Sequence, residues 1–225
     1  MRTRIAAFTV AVLVVLPVRD LAQEFPPPEQ AARVRDGDEA RPVKFPIGVT
    51  VGVGFPAGDV VEGQAFKDTF ASLRSLRLDA GIAGENAGVG FVYRYGDATV
   101  ADRRCPAGDS CTGTFKTVGG ALLLMPGGTK ESVIPILSIG GGTTTGEILR
   151  SAGDFERYTG WELFTTLSVN WRLGDASSPF GLGFSIAGHM MSLGHEETPA
   201  GKVELPVAKT GTPTWIELGV RASFL

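Results

Sequence analysis

Between Trp161 and Arg172 one set of alternate positions holds Trp161, Leu163, Thr165, Leu167, Val169 and Trp171, and the other holds Glu162, Phe164, Thr166, Ser168, Asn170 and Arg172. A period of two places the first set on one face of a β-strand and the second on the opposite face. The two tryptophans share the apolar face, ten residues apart. That separation is about 33 Å of strand, and a tilt near 40° projects it to about 25 Å, the height of the apolar band between the aromatic girdles of a membrane barrel.

The same alternation recurs. Ile47, Val49, Val51, Val53 and Phe55 oppose Gly48, Thr50, Gly52 and Gly54; Leu76, Leu78, Ala80 and Ile82 oppose Arg77, Asp79, Gly81 and Ala83; Val89, Phe91, Tyr93 and Tyr95 oppose Gly90, Val92 and Arg94. Phe180 to Met190 and Ile216 to Phe224 complete the clear cases. Thr114 to Met125 and Val133 to Gly142 read as strands whose facing is open, because Leu122, Leu123 and Leu124 run together and Pro135 interrupts. Eight strands result. Their connections alternate: short around Gly84 to Ala87, Pro126 to Glu131 and Gly174 to Ser178, long from Pro56 to Arg74, Gly96 to Gly113, Thr143 to Gly160 and Leu193 to Pro213. An antiparallel meander with both termini at one end gathers the short turns there and the long loops opposite, the asymmetry of outer-membrane barrels. The first long loop contains helical spacing at Phe66, Phe70 and Leu73.

Before the first strand, Arg2 and Arg4 precede a largely apolar run from Ile5 to Val18, the pattern of an export signal, with cleavage expected after Ala22 and a retained anchor as the alternative. Residues 23–44, with Pro26, Pro27 and Pro28, read as a disordered periplasmic linker, and residues 45–225 as the barrel domain. Cys105 and Cys111, separated by the turn-forming Pro106 to Ser110, read in an exported chain as a disulfide. A formal charge of −3 argues against a nucleic-acid partner. No cofactor and no metal site are expected.

Export signal, eight alternating strands, long loops at one end and a last strand ending in alternating apolar residues with Phe224 resemble the small outer-membrane barrels of the OmpA, OmpX and opacity-protein type. The resemblance spans about Phe45 to Leu225 and implies an all-β, eight-stranded antiparallel up-and-down transmembrane barrel in the bacterial outer membrane. It implies contact with membrane lipid and lipopolysaccharide, and a terminal aromatic residue read by the outer-membrane assembly machinery; this chain ends in Leu225, with Phe224 one place early.

With the N-terminus inside, Phe55, Tyr93, Tyr95 and Trp161 are expected at the outer interface and Trp171, Phe180 and Phe224 at the inner one. Eight strands leave an interior that side chains fill. Its expected polar network comprises Arg77, Asp79, Arg94, Lys116, Glu162, Arg172, His189, Glu217 and Arg221, with the small inward row of the first strand leaving room for Glu217 and Arg221. Charges of both signs buried together require one another.

The function read from this is a monomeric scaffold with a structural or surface-interaction role, its long loops meeting an extracellular partner. The alternatives are a narrow channel for small or apolar solutes similar to OmpW-like proteins, a soluble lipocalin-like barrel with its apolar face inward, and a lipid A-modifying enzyme using His189 and Ser192. Three residues apart on a strand, those two fall on opposite faces. His195 beside Glu196 and Glu197 reads as a solvated surface cluster. On the lipid face, Leu167→Arg should block insertion, whereas Thr166→Arg should be milder.

Overall fold

The computed structural model describes residues 43–61, 64–102, 105, 107–126, 132–151, 153–174, 178–204 and 212–225. The expected signal and nearly all of the linker lie outside these residues. Alternating sequence becomes extended chain throughout: β1 (Ile47–Ala57), β2 (Asp59–Val61), β3 (Gln64–Ala65), β4 (Phe70–Ala83), β5 (Ala87–Val100), β6 (Cys111–Leu124), β7 (Val133–Arg150), β8 (Phe155–Arg172), β9 (Phe180–Thr198), β10 (Gly201–Glu204) and β11 (Thr214–Phe224). Among the described strands, eight pair antiparallel into a closed ring, β1-β4-β5-β6-β7-β8-β9-β11, with β11 returning to β1. The chain is an all-β, eight-stranded up-and-down barrel. β2 and β3 form a small ribbon that leads into a 3-10 turn at Phe66–Asp68, and β10 extends the ladder of β9 beyond the ring.

The register fixes the size and tilt of the ring. From Val49 the pairing runs one way through Ala222 to Leu182, and the other way through Leu78, Tyr93, Val118, Thr143 and Trp161 to Ser192. The two routes meet β9 ten residues apart, a stagger of ten for eight strands. With ~3.3 Å per residue and ~4.8 Å between strands, this stagger requires a tilt of about 41°. Trp161 and Trp171 are therefore separated by about 25 Å along the barrel axis, the full apolar band.

The apolar face points out. Leu167 is 47% exposed while its neighbour Thr166 is 4% exposed, and Ile47, Val51, Phe55, Trp161 and Trp171 are likewise exposed. Between the level of Trp171 and the level of Arg74, Lys116 and Asp97, no described outward-facing residue of the ring is charged. A soluble barrel with its greasy side inward is thereby overturned.

Strand extent and the facing of β6 need correction. The segments read as long loops are largely strand: β7 continues to Arg150 and β8 starts at Phe155, so the expected loop from Thr143 to Gly160 shrinks to a tight turn. Likewise β4 starts at Phe70, β5 runs to Val100 and β9 to Thr198. The ladder persists above the apolar band because backbone pairing needs no greasy face. Ion pairs brace it there: Arg157 with Glu147 at 3.0 Å and Glu197 at 3.2 Å, and Arg150 with Asp154 at 3.0 Å and Glu156 at 2.5 Å. The second correction is Lys116, which lies on the outward face, whereas Phe115 and Thr117 are buried. The leucine run after it hides which face of β6 is which, and the bulk of Phe115 and Thr117 goes to the interior instead.

Candidate functional site: the barrel interior and its outer rim

Inward residues stack in three tiers. At the loop end, Phe66 is carried inward by its 3-10 turn and packs on Phe70, Phe115 and Trp215, with Ile148, Tyr158, Met191 and Leu193 completing an apolar cluster. Of the three residues with expected helical spacing, only Phe66 lies in a helical turn; Phe70 and Leu73 belong to β4. At the turn end, Ala83, Met125, Ile134 and Ile136 form a second apolar cluster, with Leu225 packed against it.

Between the two lies the polar tier. Glu162 on β8, fully buried, is its centre. Its Oε2 accepts hydrogen bonds from Arg94 Nη2 at 2.6 Å and Thr117 Oγ1 at 2.7 Å, and its Oε1 lies 2.6 Å from His189 Nδ1. The same Nδ1 lies 2.6 Å from Arg94 Nη1, so it donates to the carboxylate in one tautomer and accepts from the guanidinium in the other. His189 Nε2 is 3.8 Å from Glu217 Oε2. Trp215 holds the group flat: His189 stacks on its indole at 4.6 Å and the Arg94 guanidinium lies 4.4 Å from the ring centroid. Nearer the turn end, Arg77 Nε donates to Asp79 Oδ1 at 2.6 Å, its other nitrogens donate to Thr166 and Ser138, and Arg221 donates to Asp79 and Thr50. The Arg77 guanidinium also lies 5.0 Å from the Phe164 centroid. Room for these long side chains comes from β1: a Cβ at Gly52 would stand 2.9 Å from Glu217 Cγ, and one at Gly48 would strike the Arg221 guanidinium.

Charge in this tier balances. Buried Arg77, Arg94 and Arg221 face buried Asp79, Glu162 and Glu217, with His189 among them. Each isolated ion would cost several kcal/mol away from water, a cost that pairing offsets. Of the residues expected here, Lys116 faces outward as described, and Arg172 lies at the end of β8, where it donates to the Ser178 carbonyl at the rim rather than entering the tier. Thr117, Phe164 and Trp215 belong to the interior although the expected network omits them. Trp215 shares the parity of Glu217, so extending that strand by one residue reaches it.

On the outside, Trp161, Phe55 and Tyr95 stand toward the loop end, with Tyr93 two residues deeper than Tyr95 on β5, flanked by Leu78 and Val118. Trp171, Phe180 and Phe224 mark the other end, where the Phe180 and Phe224 rings are 5.3 Å apart and Trp171 leans on Phe184 at 6.0 Å. His189 is buried inside while Ser192 takes the opposite face of β9. His195 lies 3.8 Å from Glu204 across the β9–β10 ladder, and Glu196 and Glu197 bond Tyr158 and Arg157. A disulfide joins Cys105 and Cys111. The loop it closes is tied to the β7–β8 turn, where Ser151 Oγ donates to Asp109 at 2.9 Å.

No protein-family model and no curated protein sequence matches the chain. Its fold is similar to that of solved outer-membrane proteins. The Neisserial surface protein A, NspA, superposes with a TM-score of 0.52 at 12% identity, covering 80% of this chain and 97% of that one. A major outer membrane protein from Thermus thermophilus gives a TM-score of 0.47 at 15% identity, over 80% of this chain and 99% of that one. Ail, the attachment invasion locus protein of Yersinia pestis, gives 0.42 at 11% identity over the same shares, 80% and 99%. The ring, its register and the NspA superposition together give the chain the small eight-stranded outer-membrane barrel fold.

Proposed function

We propose that this protein is a sealed scaffold of the bacterial outer membrane, and that its work is structural or done at the surface by the loop end. The carrying observation is the filled interior: an apolar cluster at each end and a charge-balanced tier between them. Such a stack leaves an ion no solvated route, and an eight-stranded ring has no spare width for one. The surface presented outward is a braced wall of β7, β8 and β9 with β10 at its side, together with the disulfide-closed loop clipped to the β7–β8 turn. Binding functions commonly reside on such projections from a rigid scaffold. Contact with membrane lipid follows from the exposed apolar band; a monomeric state, engagement of the assembly machinery and an extracellular partner belong to the same proposal. No catalytic role is assigned, since His189 is engaged by Glu162 inside the barrel and Ser192 faces away from it.

Planar-bilayer recording of the purified full chain tests the proposal. Silence at both polarities is expected, and reproducible single-channel steps would favour the narrow-channel reading instead.

A further inference from the structure

At the outer edge of the apolar band, two cations stand on the outward side that nothing inside the barrel explains. Arg74 on β4 and Lys116 on β6 both face outward and are exposed, with Tyr95 of β5 between them. Tyr95 pairs with Lys116 on one side and with Leu76, two residues from Arg74, on the other. Lys116 Nζ lies 5.9 Å from the Tyr95 ring centroid, and the Tyr95 hydroxyl is 3.4 Å from Asp97 Oδ1. Pairing rows climb about 3 Å per strand at this tilt, so Arg74, Lys116 and Trp161 share one height to within about 3 Å. That height is the outer edge of the band, where hydrocarbon gives way to headgroups.

Two arginines higher on the wall of β7 and β8 have counter-ions. Arg150 has Asp154 and Glu156, and Arg157 has Glu147 and Glu197. Arg74 and Lys116 form no ion pair with any described carboxylate, although Asp97 is the cross-strand neighbour of Arg74. Two cations at the hydrocarbon boundary, half removed from water, call for an anion supplied by the surroundings. Their strands place the two Cα atoms about 12 Å apart, within joint reach of one headgroup. The half-buried Tyr95 between them offers a flat apolar surface for a sugar ring.

We propose that Arg74, Tyr95 and Lys116 form a site for the phosphorylated headgroup of an outer-leaflet glycolipid, with the cations on phosphate and Tyr95 against the sugar. This rests on the membrane reading above and specifies which part of the wall holds lipid in register. Asp97, at the edge of the site, opposes the anion and sets an upper limit on its affinity.

The test uses the full chain inserted into phosphatidylcholine vesicles containing diphosphoryl lipid A or the same lipid stripped of phosphate, with co-purifying lipid counted by native mass spectrometry. Wild-type chain should retain the diphosphoryl form about tenfold better than the stripped form. The double variant Arg74→Gln with Lys116→Gln should lose that preference, Asp97→Asn should raise it, and Arg157→Gln, above the band, should leave it unchanged. Heat-modifiable migration reports insertion separately. A double variant that inserts and keeps the preference overturns the site alone. A wild-type chain that enters neither vesicle overturns the membrane reading and the site with it. If millimolar inorganic phosphate displaces the lipid completely, the ligand is free phosphate and the glycolipid assignment is wrong.

Discussion

Glu162 shows how one residue ties the interior together. It accepts from Arg94 and Thr117 and lies against His189 Nδ1, and each partner comes from a different strand. Replacing it with Leu would leave the Arg94 charge buried without its anion, a loss of about 3 to 5 kcal/mol. Glu162→Gln keeps the shape and part of the hydrogen bonding and should cost less. Unfolding of the detergent-solubilised barrel, followed by the temperature at which its heat-modifiable band disappears, should order the proteins as wild type, Gln variant, Leu variant. An unchanged midpoint for Glu162→Leu would mean that the pairing contributes nothing. This residue is legible in the sequence because Glu162 stands on the non-lipid row of the most regular alternation in the chain. The facing of Lys116 is illegible for the opposite reason: its own strand has leucine on both faces near the turn end, so no period marks which side is in.

At the scale of the strand, the band and what rises above it obey different rules. Within the band, lipid demands an unbroken apolar outward face, which is why β1, β8, β9 and β11 can be read directly. Above it the outward face meets water while Ile148 and Tyr158 still pack inward, so outward Thr143, Thr145, Glu147, Arg157 and Thr159 carry no greasy alternation and resemble loop while being strand. The same difference predicts mutational sensitivity. Leu167→Arg, outward and within the band, should reduce stable insertion by about 2 to 4 kcal/mol, whereas Thr145→Arg, outward and higher on the neighbouring strand, should be nearly neutral. Folding titrations into phosphatidylcholine vesicles would measure both, and equal losses would contradict the outward placement of the band. Thr166→Arg is no mild control: Thr166 is buried and accepts from Arg77, so the variant would set a second guanidinium against the first. Its insertion should fail by charge repulsion inside the barrel.

For the whole molecule, the stagger of ten is the quantity from which tilt, band height and the level of the Arg74–Lys116 site all follow. Sequence periodicity determines which face is which but leaves the stagger open, because sliding every residue of a strand by two preserves all facings. The seam between the first and last ring strands decides it. Val51 is paired with Val220, and both point outward into the band, where a disulfide disturbs no interior packing. Paired Cα atoms in an antiparallel ladder are about 4.5 to 5.5 Å apart, which a disulfide can span, while a partner two residues along is about 7 to 8 Å away and cannot be joined without backbone movement. Val51→Cys with Val220→Cys should therefore oxidise almost completely in the folded barrel, and Val51→Cys with Leu218→Cys should remain largely reduced. The native pair Cys105–Cys111 is already closed and gives a constant background of one disulfide in a thiol count. Preferential oxidation of the Leu218→Cys combination would shift the seam by two residues, change the tilt, and move Arg74 and Lys116 off the level at which a headgroup meets them.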